Sequence, residues 1–487
     1  MIMIARAFDR IRTWLVQIRT PGHSLPAVIF VIGYAALLLC IPAQLVIRPL
    51  GAVGAPASLW GLGALLWWIL ITLRGHNPVR GLTGLRLGFG LLTLAVLAGY
   101  AAGHLTGWYA PPSIRQSTDE FWTLLPSTVA EVTATMMSAA DRGLLAFAGW
   151  LGILLITAEG LRSRDDLDLV IRWLVRFGAV IAVLGIIQYF TGFNIAGLFQ
   201  LPGLSANSEF GAVDSRSVLN RVVGTATHPI EFGVVMAGLL PLAVHQSLFP
   251  RKTSRRRILP WLPTILIGTA MPMSVSRSAI LAAAVAGLVL LIGWPWRWRI
   301  RALLILPFVV VGMRLLAPGL VGTIRSLFAN LQNDPSVSGR TDDYAVVLAL
   351  YAENPWFGRG LFTFVPRYYR ILDNQLLMIL IELGLFGLLA LVIAFGSAFG
   401  GALLARRRTA DPALRHLALA VAGAICGVVL SYATFDAFGF PIAAGLSFLL
   451  FGLAGAAANL TRRRADPAVE PTVITTSPRG TEVGTRT

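Results

Sequence analysis

Apolar stretches of about twenty residues recur along the whole of this sequence, and that is the length a helix needs to cross the hydrocarbon core of a bilayer. About twelve such runs can be read, starting near Leu25, Ala57, Thr83, Gly143, Val170, Phe232, Ile258, Ser278, Ala302, Leu376, Leu417 and Phe440. A chain built this way is expected to fold as an all-α polytopic membrane protein. Composition agrees. Of 487 residues, 56% are hydrophobic and 13% are charged, where soluble domains carry roughly 25% charge. A soluble enzyme, a nucleic-acid binder and a disordered chain are all poor fits.

Arginine placement in short loops gives the expected orientation. Clusters precede the first run (Arg6, Arg10, Arg12, Arg19) and follow the second (Arg74, Arg80) and fourth (Arg162, Arg164). Others follow the sixth (Arg251 to Arg257), eighth (Arg297, Arg299, Arg301), tenth (Arg406, Arg407, Arg408, Arg415) and last (Arg462, Arg463, Arg464). Twelve spans with both termini in the cytoplasm is the count that puts every cluster inside. The net charge of +17 then addresses anionic lipid headgroups, not nucleic acid. Residues 1–24 repeat Ile4, Phe8, Ile11, Leu15 and Ile18 at helical spacing and read as an amphipathic cytoplasmic segment with no cleavage signal. Residues 25–460 form the transmembrane domain, and 461–487 read as a disordered cytoplasmic tail. Longer outer loops are expected at about 104–141, 191–228 and 318–375, the last before helix ten. Cys40 and Cys426 lie in apolar runs and suggest neither a disulfide nor a metal site. The six histidines lack ligand spacing, so neither metal nor cofactor is expected.

Several arginines break the positive-inside pattern: Arg216, Arg221, Arg340, Arg359, Arg367 and Arg370 in outer loops, and Arg277 at a helix mouth within Ser274-Val275-Ser276-Arg277-Ser278. Guanidinium groups bind phosphate oxygens in bidentate fashion, so an outward cavity lined by arginine suits an anionic substrate such as a lipid-linked diphosphate. The plainer reading has them snorkel to headgroups or pair with Glu209, Asp214, Asp342 and Asp343. Asn220 to Phe232 places Arg221, His228 and Glu231 at the entrance of the sixth helix. Pro229 suits a first helical position, with Thr227 or His228 as cap and Glu231 favoured by the positive helix end. His228 as a substrate contact is the competing role. Asp373-Asn374-Gln375 opens helix ten, and Asp373 either caps that helix or serves as general base for a sugar hydroxyl. Glu382 lies deeper in an apolar run and is expected to pair with a cation such as an arginine.

The order of these pieces resembles the O-antigen ligase and O-antigen polymerase superfamily of envelope glycosyltransferases. The matching pieces are Gly224 to Phe232 with its His-Pro, the Ser-Val-Ser-Arg-Ser-Ala around Arg277, Ser338-Gly339-Arg340, and Asn354-Pro355-Trp356-Phe357-Gly358-Arg359-Gly360. The last is Asp373-Asn374 followed by Gly384 and Gly387. Together they span about Asn220 to Phe395, roughly a third of the chain. The resemblance implies a transferase on the outer face of the bacterial cytoplasmic membrane. Its donor would be a polyprenyl-diphosphate glycan, its acceptor a glycan or glycolipid, and its stereochemistry inverting. By position Arg277 and Arg340 would hold the diphosphate, with Arg221, His228 and Arg359 as further substrate contacts and Glu231, Asn374 and Glu382 in support. Asp373 stands where the ligase pattern has a histidine, which leaves ligase and polymerase both open. A lipid-linked oligosaccharide flippase and a peptidoglycan-type glycosyltransferase remain as alternatives.

Overall fold

The computed structural model describes residues 25–75, 77, 79, 81–106, 114–115, 121–122, 126–207, 215–216, 219–250, 259–329, 335–366, 368–369 and 371–465. The expected amphipathic segment 1–24, Glu209, Asp214, Arg367, Arg370 and the tail beyond 465 lie outside these residues. Among the described residues the chain is mainly helical. In order come α1 (Leu25–Cys40), α2 (Pro56–Leu73), α3 (Gly84–Thr106), α4 (Pro126–Gly160) and α5 (Arg164–Thr191). Then follow α6 (Pro229–Leu248), α7 (Leu262–Met273), α8 (Arg277–Gly293), α9 (Trp296–Leu316) and α10 (Leu320–Ala329). Last are α11 (Pro335–Glu353), α12 (Gln375–Glu382), α13 (Gly384–Arg408), α14 (Pro412–Ser431) and α15 (Pro441–Ala465).

The all-α expectation holds. Among the described residues, eight helices are long and apolar enough to cross a membrane, and nine if α9 and the start of α10, bent through 112°, count together. The stretches over α1, α7 and α8 form shorter apolar helices. Helix boundaries move relative to the sequence reading. α4 starts at Pro126, so part of the loop expected at 104–141 is helix, and α10 and α11 occupy much of 318–375. The final helix runs on to Ala465.

Each short helix has a local cause. Pro272 lies in the last turn of α7, and Val275 takes a left-handed φ of 48°, a costly conformation for a β-branched residue. The chain therefore breaks over Ser274–Ser276, and Ser276 Oγ restarts it by accepting from the Ala279 N–H at the start of α8. The α12–α13 break is a backbone interlock. Arg359 and Gly360 N–H both donate to the Glu382 carbonyl at 2.7 Å, while Leu385 N–H donates to the Pro355 carbonyl at 2.8 Å. Gly358 and Gly384 have positive φ and lie against each other's strand of chain. A methyl group on Gly358 would sit 2.5 Å from the Glu382 carbonyl oxygen. The motif Asn-Pro-Trp-Phe-Gly-Arg-Gly is thus a turn that caps the entry of α13.

The main core gathers α1–α8 and α12–α15, with aromatic contacts among Phe89, Phe147, Trp150, Phe438, Phe448 and Phe451. A second, smaller core joins the first turns of α4 to α11, to Phe364, Tyr369 and Leu372, and to α12. None of the residues of α9 is buried. At the end of the bundle where α4 finishes and α5 begins, Glu159 accepts from Arg86 Nε at 2.7 Å, Trp68 Nε1 at 2.7 Å and Asn77 Nδ2 at 2.6 Å. That end also carries the Arg164–Asp411 ion pair.

Gly358→Ala is expected to lower stability by about 2–4 kcal/mol, from strained φ plus a backbone clash. Gly396→Ala, in the open face of α13, is expected to be nearly neutral. Thermal unfolding of detergent-purified variants reads both; equal shifts would contradict the interlock.

Candidate functional site

The site grows from helix breaks at the end opposite Glu159. The segment Asn220–His228 enters α6 after docking on α5. Gln188 Oε1 accepts from Val223 N–H at 3.0 Å and Gly224 N–H at 2.8 Å, and Asn220 Nδ2 donates to the Tyr189 carbonyl at 3.0 Å. The far side of the same segment meets the α7–α8 break. Val222 N–H donates to the Met273 carbonyl at 3.4 Å, and Arg221 Nε to the Ser274 carbonyl at 3.5 Å. Arg221 is buried, and Arg277 is the first, half-buried residue of α8. Two arginines distant in sequence are thereby carried by adjoining loops. Buried Ser274, Ser276 and Ser278 surround the break with small polar groups.

His228 is the N-cap of α6. Its Nδ1 accepts from Ile230 N–H at 3.2 Å, so the ring has a cap role and Thr227 does not. Nδ1 as acceptor puts the proton of the neutral ring on Nε2. Glu231 is fully buried and joins two helix starts. Oε2 accepts from Thr227 N–H at 2.8 Å and Thr227 Oγ1 at 2.9 Å, and Oε1 from Ile442 N–H at 2.7 Å and Ala443 N–H at 3.2 Å in the first turn of α15. This carboxylate is a structural clasp, the supporting role among those expected of it.

The cap of α12 is Asn374. Its Oδ1 accepts from Leu376 N–H at 3.0 Å and Leu377 N–H at 3.2 Å. Asp373, half-buried, is therefore not the cap. Gln375 ties the start of α12 to the turn between α14 and α15. Its N–H donates to the Tyr432 carbonyl at 2.8 Å and the Phe435 carbonyl at 3.2 Å, and its Oε1 accepts from Phe438 N–H at 2.7 Å. That turn carries Asp436, which sequence reading passed over. Burial, and after it the negative charges of Asp373 and Glu231, push the Asp436 carboxyl up to about 7. Asp436 is thus protonated below about pH 7 and ionised above it. Across Phe440 the turn meets the His228 ring, with centroids 6.0 Å apart.

Two other expected residues are placed differently. Arg359 is buried, ion-paired with Glu353, and its Nη1 lies 3.4 Å from the Tyr369 hydroxyl, so it ties the Asn354–Gly360 turn to α11. Glu382 was expected to pair with a cation. Instead its Oε1 accepts the Phe364 N–H at 3.2 Å, and among the described residues it makes no salt bridge. A backbone donor serves a buried carboxylate without the desolvation cost of a second charge. Arg340 lies in α11, whose backbone is described there without its side chain. Among the described residues no group of three or more His, Cys, Asp or Glu could hold a metal ion.

The family model described as O-antigen ligase matches residues 262–392. Over this segment the chain is similar to that family. The resemblance to the O-antigen ligase and polymerase superfamily read from the sequence is thereby borne out, and a general role in membrane glycan transfer is supported. The matched segment, about a quarter of the chain, runs from α7 into α13. It holds Arg277, Arg340, Arg359, Asp373, Asn374 and Glu382 but neither Arg221, His228 and Glu231 before it nor Asp436 after it. No curated protein matches the chain.

The cap assignment is open to a direct check by thermal unfolding. Asn374→Ala is expected to cost about 1 kcal/mol and Glu231→Ala about 2–3 kcal/mol, with Asp373→Asn costing less than either. If Asp373→Asn were the most damaging of the three, Asp373 would be a structural carboxylate.

Proposed function

We propose that this chain moves a glycan from a polyprenyl-diphosphate carrier to a hydroxyl of an acceptor glycan or glycolipid, on the outer face of the bacterial cytoplasmic membrane. The observation that carries the reading is that two kinds of group lie toward the same end of the bundle. Arg221 and Arg277 adjoin the α7–α8 break, and Asp373 stands at the start of α12 without a capping role. The O-antigen ligase match over Arg277 and Asp373 supports it.

In this reading all twelve apolar segments lie in the bilayer, with α1, α7 and α8 as short members and both termini on the arginine-rich cytoplasmic side. That side contacts anionic lipids. Arg277, Arg221 and Arg340 bind the diphosphate. His228 offers its Nε2–H toward donor or acceptor from a position fixed by its cap. Arg359, Glu231, Asn374 and Glu382 hold the surrounding turns.

The reaction is a single in-line displacement. The acceptor oxygen forms a bond to the anomeric carbon as the bond from that carbon to the diphosphate oxygen breaks. The bonding electrons leave with the diphosphate, and the acceptor hydroxyl proton passes to ionised Asp373. The anomeric centre inverts. Arginine charge is most useful where the leaving diphosphate gains negative charge, which concentrates its effect in the transition state. The lipid-diphosphate bond already supplies the activation, so no nucleotide takes part.

The test is transfer by purified protein from lipid-linked oligosaccharide extracted from its own host, with products separated by size. Wild type is expected to yield a ladder or a transferred block. Arg277→Ala and Asp373→Asn are each expected to lower the rate by about 10²–10³ at unchanged protein level. Movement of the lipid across a vesicle bilayer with no new glycosidic bond would identify a transporter instead.

A further inference from the structure

Asp373 and Asp436 have a feature in common. Each immediately precedes or opens a helical turn, where a carboxylate ordinarily caps, and neither does so. Asn374 caps α12, and Asp436, at the N-cap position of the short turn Ala437–Gly439, makes no side-chain cap bond. The clamp made by Gln375 holds these two turns against each other, because it bonds the backbone on both sides of Asp436 from a position two residues after Asp373. The chain also leaves room for the second carboxylate. A methyl group on Gly439 would lie 2.6 Å from Asp436 Oδ2.

A third observation comes from the next layer. Glu382, at the far end of α12, is within electrostatic range of Asp436, and its fully buried Oε2 has no hydrogen-bond partner among the described residues. The titratable groups facing Asp436 are therefore Asp373 ahead of α12, Glu382 at its end, and Glu231 on α6. His228 is the nearby ring, packed against Phe440. Glu231 accepts four hydrogen bonds and Glu382 is enclosed, while Asp373 and Asp436 are both half-buried.

We propose that Asp436 works with Asp373 as a carboxylate pair at the acceptor site, Asp436 holding a proton and donating a hydrogen bond to the acceptor sugar while ionised Asp373 takes the proton of the attacking hydroxyl. The proposal rests on the glycan-transfer reading above and assigns its acceptor side. Two carboxylates in one place cannot both ionise freely, so their environments split the roles. Burial pushes the Asp436 carboxyl up to about 7, so Asp436 is the one assigned the proton. No proton is created or lost: the hydroxyl proton moves to Asp373, the proton on Asp436 stays, and Asp373 returns its proton to solvent after the product leaves.

The sign of the pH effect follows. Raising the pH through about 7 ionises Asp436, removes the donor and places a second negative charge beside the first. Wild-type transfer is therefore expected to fall on the alkaline side of neutrality. Asn is a permanently neutral donor of similar shape. Asp436→Asn is expected to lose the alkaline limb, with a rate at about pH 6 lowered less than about threefold, whereas Asp436→Ala loses about tenfold or more at every pH and raises the acceptor KM.

The experiment is the pH profile of transfer for wild type, Asp436→Asn and Asp436→Ala in detergent, from the host's own lipid-linked oligosaccharide, with thermal unfolding run alongside. Loss of the alkaline limb in Asp436→Asn supports the pair. An unchanged limb in Asp436→Asn, with wild type active, overturns the pair and leaves the transferase reading standing. A wild type that forms no glycosidic bond overturns both.

Discussion

A helix that starts inside an apolar interior exposes backbone N–H groups that have no water to meet, and each must find an acceptor. The structure is organised around that constraint. Glu231 answers it for α15 and for the turn before α6 with a single carboxylate. His228, Asn374 and Ser276 answer it for α6, α12 and α8. The Pro355 and Trp356 carbonyls answer it for α13. These helix starts face one end of the bundle, so the polar groups brought in to satisfy them also form the polar floor of the site.

The same constraint separates structural from chemical residues. A carboxylate whose oxygens are filled by backbone N–H groups, as in Glu231, is committed to the fold. Arg359 is committed likewise through Glu353 and Tyr369. Asp373 stands one residue ahead of the α12 cap, and Asp436 stands at the cap position of a short turn without making a side-chain cap bond. Arg277 heads α8, where the positive end of the helix and its own charge add, an arrangement poor for stability and good for holding an anion. The opposite end shows what a purely structural use of charge looks like. There Glu159 is saturated by Arg86, Trp68 and Asn77.

Much of the helical framework was legible in the sequence because hydrophobic run length is a strong, local signal. The apolar runs proved to be helical, the one from Leu376 divided between α12 and α13, and the His-Pro, Ser-Arg-Ser and Asp-Asn motifs all fell on helix starts. What could not be read was pairing across the chain. Nothing near Glu382 says that its partner is the Phe364 N–H and not an arginine, since only the turn at Gly358 and Gly384 brings the two together. Asp436 was missed for the same reason. It sits in a short break between two apolar runs, and the hydrogen bonds of Gln375 that hold its turn to the start of α12 are long-range. Asp and Asn are both good caps, so residue type alone does not choose between Asp373 and Asn374.

The central claim is that the donor's diphosphate is held at the meeting of the Asn220–His228 segment and the α7–α8 break. A photoreactive polyprenyl diphosphate, cross-linked to the membrane-embedded protein and mapped by mass spectrometry, tests it most directly. The account predicts label on peptides containing Arg221 and Arg277, competed by unlabelled lipid-linked oligosaccharide and lost in Arg277→Ala. Label confined to the Glu159 end, unaffected by that substitution, would contradict it.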